Sequence, residues 1–134
     1  ALIQQNLVQS VMVTHEIVLS VDPTLPSTLS SKVVTGILRN DLGFQGVIMT
    51  DSLSMSGVTS YTSEYQAAAD AIGAGADMVM GAASPEDVLA MFNSIKQAIT
   101  NGSLSTARIN DSVRRILLMK YHMGLLSLPA NNAK

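Results

Sequence analysis

The sequence has no cysteine, which excludes both a disulfide framework and a thiolate metal site. It has no tryptophan, and aromatic residues make up only 4 % of the chain. Charge is also scarce: 13 % of residues are charged, with 8 Lys+Arg against 10 Asp+Glu and a net charge of −2. A nucleic-acid partner would need clustered basic residues facing phosphate, and here only Arg114, Arg115 and Lys120 fall near one another. No apolar run approaches the roughly 20 residues that span a bilayer, so no membrane partner is read. The opening ALIQQNLVQS lacks the basic flank and cleavage site of a signal peptide, and it lacks an initiator Met, so the chain reads as cut from inside a longer one. Absence of cysteine suits either side of a membrane and leaves the compartment open.

What the chain does have is apolar material, 47 % of 134 residues, enough for one domain with a core. Short β-like runs alternate with longer helical ones. Residues 2–9 read as the end of a helix and SVMVTH, 10–15, as a strand; Pro23 and Pro26 then break up a polar loop. Ser30 is placed to cap a helix over 31–42, in which Val33, Val34, Ile37 and Leu38 recur at helical spacing, and Gly43 to end it. A second strand is predicted over 46–51, then a Ser/Thr/Gly loop to about residue 62 and an Ala-rich helix over 63–75. The third strand is ADMVMG, 76–81. Ser84-Pro85 opens a helix running to Thr100. The last helix begins near Ser105, shows Ile109, Val113, Ile116, Leu117 and Tyr121 on one face, and stops at Gly124; a flexible tail is predicted from residue 127 to 134.

A repeated strand–helix order with apolar strands predicts an α/β fold of parallel strands covered by helices. Three strands do not close a barrel, since a (β/α)8 barrel takes about 250 residues. The pattern leaves open whether this is a small open sheet or part of a larger fold.

The chemistry concentrates where the second strand ends. In ILRNDLGFQGVIMTDSLSM, residues 37–55, an apolar run climbs into Thr50 and Asp51. Carboxyl ends of parallel strands are where ligand chemistry collects, and a carboxylate there sits on a rigid element. The competing role is a cap on the next helix or a bond to backbone in the DSLS turn. The stretch resembles the active-site signature of glycoside hydrolase family 3: Ile37-Leu38, Arg39, four spacers Leu42 to Gln45, Gly46, the apolar Val47-Ile48-Met49, Thr50-Asp51 and the small Ser54. Asp41 stands where that pattern usually has Glu, Gln or Lys. VMVTH, LPSTLS, AIGAGADMVM and STARINDSVRRILLMKYHMGLL look like further parts of the same family. TDSLSM is similar to its β-N-acetylhexosaminidase-like branch; the β-glucosidase branch usually places Trp directly after the acid.

The resemblance implies a partial TIM barrel, its strands the sixth to eighth with the last helix closing it, so that residues 1–126 form the C-terminal portion of the catalytic barrel. It implies that Asp51 is the nucleophile of a retaining glycosidase, with Thr50, Ser52 and turn N–H groups as donors that keep it ionised. The partner implied is a carbohydrate; by position rather than by family, Met55, which follows the acid, and His15, at the end of the first strand, are placed to bind it, the competing role of His15 being a strand-end imidazole bonded to backbone. No cofactor is called for. The Gly-His-Gly-Asp-type loop that supplies the acid/base in this branch is absent, since His15 and His122 are the only histidines and neither is flanked by glycines. The fragment is therefore expected to lack activity alone and to associate with itself or with the rest of the barrel.

Other readings compete. Without the family, Glu16 is the natural second carboxylate. Asp77 opens its strand and reads as structural, as do Arg114 and Arg115 on a solvated helix edge. GAGADMVMG superficially resembles the phosphate-gripping end of an aldolase- or dehydrogenase-type barrel, although AASPED, with its acids, follows it.

Overall fold

The computed structural model describes residues 2–127. Three parallel strands, β1 (Ser10–Val13), β2 (Val47–Ser52) and β3 (Met78–Met80), form one sheet in the order 1-2-3. The predicted parallel α/β arrangement is present, with β1 and β3 shorter than their apolar runs. Strand β2 is paired on both sides, and its Val47, Ile48 and Thr50 are buried. The predicted tail lies outside the described residues except for Ser127.

The helices follow their local signals with three differences. The helix predicted over 31–42 is present as Lys32–Asp41, but it is wide: Leu42 N–H donates to Ile37 O, five residues back. Ser30 serves its start, its Oγ accepting from Val33 N at 3.4 Å, and Gly43 leaves it at φ +67°. A short helix α1 (Ser56–Thr59) interrupts the predicted loop. Its sequence has no helical propensity to announce it; it forms where Val58 is fully buried. Residues 2–7 form no helix of their own, yet they keep the hydrogen bonds that close one: Leu7 N–H donates to Leu2 O at 3.1 Å and Asn6 N–H to Ile3 O at 2.9 Å, with Asn6 left-handed at φ +59°, while Ile3 and Val8 pack against the core.

Helices α2 (Glu64–Ala74), α3 (Pro85–Thr100) and α4 (Thr106–His122) begin at Ser63, Ser84 and Ser105, each of whose side chains accepts an amide from three residues on. Helix α2 approaches closely because its inner face is alanine: Ala67, Ala68 and Ala71 are fully buried beside Val34, Phe44, Ile48, Leu53 and Val58. Each large apolar side chain removed from water in this way contributes about 1.5–3 kcal/mol.

Strand alternation divides the sheet into two faces. Val11, Ile48 and Val79 point into the helical layer. Met12, paired with Met49, and Met78, paired in turn with Met49, lie on the other face, where Met12, Met78 and Met80 are exposed. Asp51 shares the parity of Met49 and belongs to this uncovered face.

At the opposite end of the strands Asp77 is buried, as its structural reading requires. One carboxylate oxygen accepts from Arg39 Nη2 and from Ile48 N at 3.0 Å. The other accepts from Ser112 Oγ at 2.9 Å, Arg108 Nη2 at 3.1 Å and Arg115 Nη1 at 3.4 Å. Arg115 is thus not a solvated edge: its side chain is 15 % exposed and turned inward. Helix α4 docks through the stripe Arg108, Ser112, Arg115, while Val113, Leu117 and Tyr121 of its apolar face are more than 40 % exposed. The buried Asp77 carboxylate, which would otherwise be an uncompensated charge, is what these arginines meet when the helix docks this way.

Candidate active site

Arg39 and Gly46 launch β2. Arg39 Nη1 donates to Phe44 O at 2.9 Å and Gly46 O at 2.6 Å, closing the loop between the wide helix and the strand. Burial pulls the Arg39 guanidinium below its ordinary pKa, while the Asp77 carboxylate pushes it back up. Gly46 has no room for a side chain, since a Cβ there would meet Gln9 O and sit 2.6 Å from the Phe44 ring. The strand then runs into Thr50, whose Oγ1 accepts from Met80 N at 3.0 Å and fixes β3 alongside. Thr50 therefore turns toward β3, on the face opposite Asp51.

Asp51 accepts from the amide of Ser52 at 2.7 Å through Oδ1, one of the turn donors predicted for it. It does not cap α1, which starts at Ser56 with Met55 at its N-cap position. Ser52 Oγ and Ser54 Oγ pair at 2.8 Å, and Leu53 N–H continues to Met80 O at 2.9 Å. Gly81, at φ +120°, permits this closure, as a Cβ there would lie 2.6 Å from Leu53 N.

Asp51 opens onto a cleft of about 630 Å³. The structure brings His15, Glu16 and Met55 to the same cleft, joined by Thr14, Ile17, Leu19 and Gly57. Met55 is 48 % exposed and forms a movable apolar wall. Both ring nitrogens of His15 are engaged by protein, Nδ1 with Thr28 Oγ1 and Nε2 with Ser52 O, each at 2.9 Å. Thr28, Ile17, Leu19 and Gly57 were not singled out from the sequence. The signal was there: a loop leaving the carboxyl end of β1 returns over the same rim as Asp51.

That loop is pinned by Asp22, which is buried. Its carboxylate accepts from Thr24 Oγ1 at 2.7 Å, Ser30 Oγ at 2.7 Å and Thr24 N at 3.2 Å. The Thr24 hydroxyl first, then the Ser30 hydroxyl, hold its pKa down to about 2 from 3.8. A depressed carboxyl pKa adds stability above the unfolded value, and that stability is lost as pH falls through the folded one. Urea midpoints should therefore drop between pH 4 and pH 2, and less so in Asp22→Asn; parallel curves for the two proteins would rule this out.

The start of α3 offers no grip for phosphate. Asp87 fills it, accepting from Ala83 N at 3.2 Å and Ser84 Oγ at 2.9 Å, while the Tyr65 hydroxyl and then Ser84 hold its pKa below the usual value.

Asp51 is thus presented from a parallel strand end into an open cleft, at the rim where βα folds carry their ligand chemistry. The chain belongs to the glycosyl hydrolase family 3 N-terminal domain family, whose defining pattern matches residues 1–119. It is similar to the β-N-acetylglucosaminidase/β-glucosidase of Cellulomonas fimi, 31 % identical over 112 residues that make up 81 % of this chain and 19 % of that protein. It is also similar to a β-hexosaminidase of Nitrosomonas eutropha, 34 % identical over 99 residues, 74 % of this chain and 28 % of that one. Among solved structures, a family 3 β-N-acetylglucosaminidase from Paenibacillus sp. FPU-7 superposes with a TM-score of 0.84 at 33 % identity, covering 92 % of this chain and 25 % of that one. The chain thus spans about a fifth to just over a quarter of the length of these relatives.

Proposed function

We propose that Asp51 is the nucleophile of a retaining glycosidase that cleaves β-linked hexosides, N-acetylated ones in particular. Its carboxylate attacks the anomeric carbon as the glycosidic C–O bond breaks and the departing oxygen takes a proton. Water then cleaves the resulting glycosyl ester, returning a proton to the acid/base. The observation that carries this reading is the direction of Asp51, which leads from the uncovered face of the sheet into the cleft instead of capping α1. His15 and Met55 wall the sugar site, His15 through its ring edge because both nitrogens are occupied.

In this reading residues 1–126 are the sixth to eighth units of a (β/α)8 barrel, with α4 closing it. The exposed Met12, Met78 and Met80 and the two unpaired strand edges then face the remaining units, which supply the acid/base. The 25 % coverage of the Paenibacillus structure supports this assignment. The test is to incubate the protein, as encoded in full, with a slow 2-deoxy-2-fluoro glycoside and map the adduct by mass spectrometry. A glycosyl mass on the peptide containing Asp51 is expected; a label confined to another peptide would refute the assignment.

A further inference from the structure

Pairing between β1 and β2 ends at Val13 and Thr50. Beyond it the two chains separate, and the carbonyl of Ser52 has no strand partner on the β1 side. The His15 imidazole stands in that gap, with Nε2 at 2.9 Å from Ser52 O. A carbonyl only accepts, so Nε2 carries a proton. Across the ring, Nδ1 meets Thr28 Oγ1 at 2.9 Å, and that fully buried hydroxyl lies 2.7 Å from Thr14 O and 3.1 Å from Val13 O. The imidazole is thus held between the Thr28 hydroxyl and Ser52 O, which ties the turn Ser27–Leu29 to the end of β2, while the single Thr28 proton serves one of its three neighbours at a time. Helix α1 presses on it from the side: a Cβ on Gly57 would fall 2.8 Å from His15 Cβ. The residue that His15 holds by its carbonyl is the one whose amide holds Asp51 Oδ1 at 2.7 Å. The Ser52 carbonyl is shared by the imidazole and the Met55 N–H, the latter at 3.2 Å, and its amide is committed to Asp51.

We infer that His15 is a positioning residue, which replaces the missing strand pairing at Ser52 and thereby aims the Asp51 carboxylate. The inference rests on Asp51 being the nucleophile. Fixed geometry at an attacking group matters because displacement of the order of 1 Å costs about a hundredfold in rate.

The experiment measures kcat and KM of the full protein as His15→Ala and His15→Gln on a chromogenic N-acetyl-β-hexosaminide. His15→Ala should lower kcat about ten- to a hundredfold and raise KM by a much smaller factor, since the aim of Asp51 is lost in full whereas the ring edge is only one part of the sugar wall that Met55 continues. His15→Gln, whose amide nitrogen reaches toward Ser52 O, should recover most of the loss. An unchanged kcat in His15→Ala, or a Gln variant no better than Ala, would overturn the inference. A second measurement needs no variant to fold: imidazole 15N NMR of the full protein should report a protonated Nε2 on His15, and an Nδ1-only tautomer contradicts the bridge. Turnover surviving in Asp51→Asn instead removes the nucleophile reading itself, an outcome distinct from any His15 result.

Discussion

Asparagine at position 51 is expected to abolish turnover while leaving fold and sugar binding in place. The replacement keeps an oxygen to accept from the Ser52 amide, the bond that Asp51 makes at 2.7 Å, so the turn has no reason to rearrange. It removes the negative charge that the proposed mechanism directs at the anomeric carbon, and a neutral amide forms no stable glycosyl ester. Loss of a nucleophile costs on the order of a thousandfold or more in kcat. Steady-state rates on the chromogenic hexosaminide, together with calorimetric titration of the reaction product, separate the two effects. A variant within tenfold of wild type would show that Asp51 does not attack the sugar.

The largest stability effect is expected from Asp77→Ala. This side chain has no exposed surface and accepts from Arg39, Arg108, Arg115, Ser112 and the Ile48 amide. Removing it leaves partly buried guanidinium groups facing each other, and breaking a buried ion pair in this way costs about 3–5 kcal/mol. That is a large share of the roughly 5–15 kcal/mol that holds a domain folded. The urea midpoint of the variant should fall accordingly, with Asp77→Asn in between, since its amide still accepts from some of these donors. A midpoint for Asp77→Ala within experimental scatter of wild type would mean that the arginines are held by other contacts. The same carboxylate ties β2 to β3 through Ile48, three residues before Asp51, so this cluster also anchors the strand that presents the acid.

Local signals in the sequence placed most elements well. Serines before helical runs became caps at Ser63, Ser84 and Ser105, and glycines at 43 and 124 ended helices with positive φ. These are nearest-neighbour effects, decided by one side chain and the few amides it can reach. One reading failed because it required knowing what lies opposite. Arg115 reads as part of a solvated helix edge, yet α4 turns it inward to Asp77 of a distant strand.

The site divides in the same manner. That an acid ends the second strand, preceded by Arg39, Gly46 and Thr50, is a matter of spacing along one continuous stretch, and the sequence alone carries it. What Arg39 does there, holding Gly46 and reaching Asp77, is visible only once strand and helix are packed. So is the bridge from Thr28 through His15 to Ser52, whose members are 13 and 37 residues from the imidazole. Periodicity and capping act over a few residues and can be read in order along the chain, whereas hydrogen bonds between separated segments exist only after the sheet has set their distance.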